Sequence, residues 1–313
     1  MLVALSVIWG SAFTLVEVVL EDVPPLTLVA GRLTGAFIFL GAAFAISGRP
    51  FPRDMASWRA FVFLGVVNNV FPFIMLTWGQ DRIDSSQAAI LVASMPLSTV
   101  LIAHFWIDER LTVDRALGVL VGFGGVFLLV GGDLRDLTGS GTLGQFAVIA
   151  GAVGYSTGTV FARRHLQNAD IITTAAGQTL VGTAIMIPLA LAVDTPFDLS
   201  ISMKTVLAWV ALGVFPSGVA YLIYFRLVHQ LSATQASMVT YLIPITAILL
   251  GVLVLDESVA RSSFGGLALI VSGIWVVNGG AGWFWTRFRR RRTAVPTPAG
   301  IDEVDSGNVT SVR

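Results

Sequence analysis

The sequence predicts an all-α polytopic membrane protein, with ten transmembrane helices in two inverted five-helix repeats. Three observations carry that expectation: composition, ten long apolar runs, and self-similarity at one fixed offset. Of 313 residues, 55% are hydrophobic and 12% charged, with a mean hydropathy of +0.81. A soluble domain typically carries about 25% charged residues. Here 19 basic and 19 acidic side chains serve a 33.3 kDa chain, too few to hydrate a water-facing surface. That composition excludes a soluble enzyme and a disordered chain. A formal net charge of zero gives no basic surface for polyanions, so no nucleic-acid partner is expected. The chain has no cysteine, which removes disulfides, thiolate metal sites and a cysteine nucleophile. No metal or cofactor is expected.

A helix needs about 20 apolar residues to cross roughly 30 Å of hydrocarbon. Ten stretches suffice: 2–20, 26–47, 59–78, 86–107, 113–131, 143–162, 171–193, 205–225, 233–255 and 262–282. Transmembrane strands would alternate polar and apolar residues instead, and runs such as 238–255 do not. The first run lacks the basic start of a signal peptide and is read as a helix. With a cytoplasmic N-terminus, fourteen Lys and Arg fall on inner connections and four on outer ones, Arg32 lying within a span. The positive-inside rule then puts both termini in the cytoplasm, and the expected location is a bacterial inner membrane. Residues 284–313 form a tail rich in Pro, Thr and Gly, expected to be disordered. Its start, Trp285-Thr-Arg-Phe-Arg-Arg-Arg-Arg292, is expected to bind anionic lipid.

Laid on itself at an offset of 148, segment 86–132 matches 234–280 at ten of 47 positions. The matches include Gln87/Gln235, Pro96/Pro244, Asp108-Glu109/Asp256-Glu257, Gly118/Gly266 and Gly125/Gly273. The same offset pairs Phe13 with Phe161 and Leu64-Gly65-Val66 with Leu212-Gly213-Val214. The chain therefore reads as a duplicated unit, residues 1–132 and 142–280. Five helices per unit is odd, so the second copy enters the membrane from the opposite side. Such inverted repeats are the architecture of secondary transporters, with substrate bound near the midplane between the halves.

Three stretches resemble the EamA-type transporters of the drug/metabolite transporter superfamily. They are Trp9-Gly-Ser-Ala-Phe13 with Pro24-Pro25 and Arg32, the run from Pro96 through Asp108-Glu109 to Thr112, and its echo from Pro244 to Asp256-Glu257. The likeness covers roughly residues 3–280 and implies ten helices in two inverted halves that export small amphipathic metabolites. Family members often carry Lys four residues after the helix 1 Phe. This chain has Glu17 there, so the family's charge preference is not carried over.

Charge within a span is costly and marks function by default. Arg32 reads as a cation for a substrate carboxylate or for Glu17, or as a side chain snorkelling to the outer headgroups. Glu17 and His104 are the candidates for proton coupling. Against that role, Glu17 reads as an interfacial acid and His104 as a partner of Asp108. Glu109 and Glu257 read as pins for the short loops that follow them. Polar residues on helical faces point inward because lipid would leave them unsatisfied. They give an expected cavity lining of Trp9, Arg32, Asn68, Asn69, Gln87, Ser98, Tyr155, Gln178, Tyr221, Tyr224, Gln235 and Tyr241. Helix-to-helix hydrogen bonding is the competing role for each. Among the mid-span prolines, Pro96 and Pro244 are the expected hinges.

The expected function is secondary export of amino acids, organic cations or similar small molecules by alternating access. A membrane-embedded enzyme and a non-transporting scaffold are the alternatives, but no nucleophile, base or metal grouping is visible. Expected partners are a small-molecule substrate and the bilayer, with a homodimer among the open oligomeric states.

Overall fold

The structure, a computed structural model, describes residues 1–130, 139–167, 169–230 and 238–277. In hydrocarbon every backbone N–H and C=O must bond within its own segment, so the apolar runs become helices. Ten follow one another among the described residues, with no strand. They are α1 (Leu2–Leu20), α2 (Pro25–Ile46), α3 (Met55–Gln80), α4 (Ser85–Ile107), α5 (Val113–Val130), α6 (Ser140–His165), α7 (Ile171–Val193), α8 (Met203–Gln230), α9 (Ile243–Val254) and α10 (Arg261–Val277). Seven, α1 to α4 and α6 to α8, are long and apolar enough to cross a membrane. Helices α9 and α10 are apolar but shorter, at 12 and 17 residues, and α5 begins with Asp114 and Arg115. Phe105 and Leu253 are 81% and 76% exposed on the outer faces of α4 and α9, as acyl chains but not water would tolerate.

Side chains fix several helix starts. Asp54 accepts from Ser57 N at 2.8 Å, Asp170 from Thr173 N at 2.9 Å, and the Ser202 hydroxyl from Thr205 N at 3.2 Å, each an N-cap bond reaching three residues on. Helices α4 and α9 are followed by Asp108 and Asp256 in left-handed conformation, with φ of 55° and 53°. After each, a glutamate N–H returns to the carbonyl six residues back: Glu109 to Ala103 at 3.3 Å and Glu257 to Gly251 at 3.0 Å. Each bond closes a turn one residue wider than the six-to-one bond of a Schellman cap, around a left-handed residue of the same kind.

Helices α3 and α8 each contain a π-helical turn, Gly65–Val70 and Phe215–Val219. Pro72 and Pro216 supply the cause, since proline has no N–H and its ring crowds the carbonyl four residues back. The freed carbonyls find side chains: Leu212 O accepts from Ser217 Oγ at 3.2 Å, and Asn68 O lies 3.4 Å from Tyr221 OH, sharing a hydroxyl whose shorter bond goes to Asn69. The sequence pointed to an unbroken helix over 86–107, but α4 breaks at Ala93-Ser94 and resumes with Pro96 in its new first turn. Proline fits that position because a first-turn N–H has no helical partner. Likewise α9 starts at Ile243 with Pro244 next, behind a 3-10 turn over Met238–Tyr241. Both expected hinge prolines thus sit just past an interruption.

Helix α6 lies against α3 and α4, α1 against α8 and α9, α2 against α7, and α5 against α10. The last pair touches backbone to backbone. A Cβ on Gly125 would lie 2.6 Å from Gly266 O and 2.8 Å from Ile270 N, and Gly118 meets Gly273 in the same way. Backbone cannot yield as a flexible side chain can, so Gly125→Ala is expected to cost about 1–3 kcal/mol, read as a lower thermal midpoint in detergent. Gly124→Ala, with nothing within 4 Å of its Cβ position, should change little.

Candidate functional site

A cavity of about 70 Å³ opens in the middle of the bundle, where the interrupted segments of α3, α4, α8 and α9 converge on α1. Trp9 and Phe13 from α1, Phe73 from α3, and Tyr155, Tyr221 and Tyr224 from α6 and α8 give it an aromatic wall. Hydrogen bonds lock that wall. Trp9 Nε1 donates to Pro216 O at 3.0 Å, and Tyr221 OH donates to Asn69 Oδ1 at 2.6 Å. Asn69 Nδ2 reaches Gln178 O at 3.1 Å, while Asn68 Nδ2 reaches Gln178 Oε1 at 3.3 Å. Tyr224 OH bonds Thr159 Oγ1. Rings and amides held this firmly present fixed surfaces to an occupant.

Among the described residues Arg32 is the single cation of the lining, and it is 6% exposed. Its Nε donates to Ser217 Oγ at 2.7 Å, and its Cζ sits 3.8 Å from the centre of the Phe73 ring. No carboxylate pairs with it among the described residues. Arginine in mid-membrane costs about 2.5–3.5 kcal/mol on insertion scales. A cation–π contact returns about 0.5–2 kcal/mol, and one of five N–H donors is engaged by Ser217. The remaining donors require water or an anion in the cavity.

Beyond Gln80 the cavity meets an acidic mouth. One open chamber of about 570 Å³ is lined by Glu17, Glu21, Asp81, Asp84, Asp256 and Glu257; an adjoining one of about 480 Å³ includes Glu17, Gln80, Arg82 and Ser140. Glu257 spans the mouth, its two oxygens accepting from Ser85 N at 2.9 Å and Ser86 N at 3.1 Å. It therefore caps the start of α4 rather than its own following loop, a partner the local sequence could not name. Partial desolvation in the mouth, and behind it the Glu257 carboxylate, raises the largely exposed Asp84 carboxyl above its ordinary value.

Among the described residues, aromatic rings fill the opposite end of the bundle. Phe63 of α3 stacks on Phe161 of α6 with centroids 4.2 Å apart, and His165 stacks on Phe161 at 4.5 Å. Trp106 of α4 closes over them, 6.0 Å from Phe63 and 6.2 Å from Phe161. Arg164 donates to the Trp106 carbonyl, and Arg163 to Val228 O of α8 at 3.2 Å.

A central cavity with one open end poses the question of relatives. The EamA-like transporter family model matches the chain twice, at residues 1–131 and 142–279. The chain belongs to the EamA-like transporter family. Among its relatives, the uncharacterized transporter YoaV of Bacillus subtilis is 22% identical, the alignment covering 88% of this chain and 94% of that protein. A probable terminal-alkyne amino-acid exporter of Streptantibioticus cattleyicolor is 27% identical, covering 94% and 96%. A solved structure titled "Crystal structure of protein" superposes with a TM-score of 0.63 at 23% identity, covering 88% of this chain and 98% of that one. That likeness shows the fold alone.

Of the residues the sequence nominated in this EamA-like transporter, the structure gathers Trp9, Arg32, Asn68, Tyr155, Tyr221 and Tyr224 on the cavity. Asn69 and Gln178 stand one layer behind as struts. Ser98 bonds Met95 O and Ser156 at 2.9 and 2.8 Å and serves packing; half-buried Gln87 is not in the lining. Arg32 neither snorkels nor meets Glu17, which faces the mouth with one oxygen buried and without a hydrogen-bond partner. His104 donates to Glu109 O at 2.9 Å rather than to Asp108, because the left-handed turn at Asp108 brings that carbonyl back over the helix end. Gln235, the Tyr241 side chain and the Arg-rich tail lie outside the described residues. Sequence reasoning missed Phe13, Phe73, Thr77 and Gln80 as lining. Apolar Phe13 and Phe73 gave no polar signal, whereas Thr77 and Gln80 share a face of α3 with Phe73, at helical spacing.

A carboxyl raised by folding favours the folded state in its neutral form. Stability then falls as pH rises from the ordinary value of 3.8 through the raised one. Asp84→Asn should flatten that decline and raise the thermal midpoint at pH 7. A lower midpoint at pH 7 would show that the charged carboxylate stabilises the mouth.

Proposed function

We propose that the chain is a secondary transporter that exports small amphipathic metabolites across the inner membrane by alternating access. Its ten helices would form two inverted five-helix repeats, residues 1–132 and 142–280. The acidic mouth faces outward, the aromatic plug faces the cytoplasm, and both termini are cytoplasmic. The observation that carries this reading is the unlike surroundings of equivalent residues. Phe13 and Phe161 are 148 positions apart; Phe13 lines the open cavity, and Phe161 is the centre of the closed plug. Glu17 and His165 share that offset, one in the open mouth and the other stacked in the plug. In an inverted duplication the second conformation is obtained by exchanging the two halves' shapes. Phe13 would then close the outer end while Phe161 lined an inward cavity.

Packing supports the exchange. The pairs α3–α6 and α4–α6 on one side have counterparts in α8–α1 and α9–α1, and α2–α7 and α5–α10 map onto themselves. The proline-linked interruptions ahead of Pro96 and Pro244 give each half a place to bend. The amino-acid exporter among the relatives agrees with a small amphipathic cargo.

Counterflow in proteoliposomes tests the reading with labelled amino acids, aliphatic and aryl carboxylates, and quaternary amines. Exchange stimulated by unlabelled compound on the far side is expected; chemical conversion of the compound would instead favour an enzyme. The chain has no cysteine, so single-cysteine labelling is clean. Asp81→Cys should react with an impermeant maleimide applied outside intact cells, and Phe161→Cys should stay protected. Phe161→Ala, which removes the centre of the plug, should raise accessibility from the cytoplasmic side at least several-fold. Reaction of Phe161→Cys from outside at the rate of Asp81→Cys would reject the closed plug.

A further inference from the structure

The carrier reading leaves the cargo's charge open, and the cavity's own electrostatics decide it. Arg32 is buried, lines the cavity and has no carboxylate partner among the described residues. The acids nearest the site, Glu17 and its neighbours, sit at the mouth, not in the central lining. Around the guanidinium the lining is otherwise neutral, made of rings, aliphatic side chains, Asn68, Thr77, Gln80 and Thr240. The Thr77 hydroxyl, 1% exposed, has no hydrogen-bond partner in the structure, although it borders the cavity. A planar fork of N–H donors matches the two oxygens of a carboxylate. Ser217 holds Nε from one side and Phe73 holds the flat face, so the fork is fixed before anything binds.

We propose that this transporter, on the carrier reading above, takes a monocarboxylate with a compact apolar or aromatic body. The carboxylate sits on the free donors of Arg32, and the body packs against Trp9, Phe73 and the tyrosines. An organic cation passes the acidic mouth easily but meets a fixed positive charge in the cavity, with no acid there to hold it. A doubly charged phosphate would call for a second cation, which the lining lacks. Organic cations are therefore excluded as cargo, although the uncharged, aromatic part of the lining would suit them.

The test is counterflow in proteoliposomes with three probes: N-acetyl-L-leucine, its neutral isostere N-acetyl-L-leucinamide, and tetraethylammonium. Thermal shift of the purified protein in detergent gives binding independently of flux. Wild-type protein should exchange and bind the carboxylate at least tenfold better than the amide, and should not exchange tetraethylammonium. Arg32→Gln should remove that preference, and Arg32→Lys, a point charge without the fork, should restore part of it. Ser217→Ala separates recognition from bracing: it loosens the strut yet keeps the cation, so the carboxylate preference should persist. Equal exchange of carboxylate and amide, preference for tetraethylammonium, or an unchanged preference in folded Arg32→Gln would overturn the inference and leave the carrier intact. Exchange of none of the probes, nor of any compound in the wider panel, would overturn the carrier reading and this inference with it.

Discussion

Hydrogen-bond satisfaction in a medium without water governs this molecule. A helix interrupted in hydrocarbon exposes carbonyls that lipid cannot serve, so each interruption must be repaired by a neighbour. Here the repairs and the cavity wall are the same groups. Pro216 frees Leu212 O, which Ser217 Oγ takes up, and Ser217 Oγ accepts from Arg32 Nε. Pro216 O in turn receives Trp9 Nε1. On the other wall, the π turn before Pro72 sets out Asn68 and Asn69, which meet Tyr221 and Gln178. Removing one of these side chains unbalances a helix and a binding surface together.

The same economy explains why the helices touch by two kinds of contact. Helices α5 and α10 meet glycine to glycine, with no side chain between Gly118 and Gly273 or between Gly125 and Gly266. Such a contact permits little change of spacing and suits a fixed seam. Around the cavity the contacts are rings and single hydrogen bonds, such as Trp9 with Tyr224 at 5.2 Å between centroids. Those can be broken and remade one at a time. On the proposed mechanism, α5–α10 would be the static edge and α3, α4, α6 with α1, α8, α9 the moving elements.

Much of the fold was legible because its cause is local. Apolar runs of spanning length gave the helices, and a duplicated Pro-to-Asp-Glu stretch gave matching caps at Asp108 and Asp256. The cavity was legible where polar groups betrayed it, at Arg32, Asn68 and the tyrosines. It was not legible at Phe13 and Phe73, since an apolar ring looks alike whether it faces lipid, a neighbour or a cargo. Nor could the sequence tell struts from lining: Asn68 and Asn69 are neighbouring buried amides of one π turn, and only the first reaches the cavity. Pro72 was overlooked for a related reason. Its effect depends on whether a freed carbonyl finds a partner, and Tyr221 stands 149 positions away in the chain.

The charges around the site also bear on how readily an anion would pass. On the proposed mechanism a carboxylate on Arg32 would leave, among the described residues, through a mouth carrying Glu17, Glu21, Asp81, Asp84, Asp256 and Glu257 against Arg82. Within such an opening, screening over about 8 Å at physiological salt leaves these groups acting on anything that passes. The field raises the barrier to release and to return of an anion by the same factor, so it slows passage through the mouth without setting its direction. The plug side presents Arg163 and Arg164 instead, a surface that gathers anions when that end opens. On the proposed mechanism, cations at the plug end would concentrate an anionic cargo near Arg32 when that end opened, and the net direction would follow from the gradients across the membrane rather than from these charges.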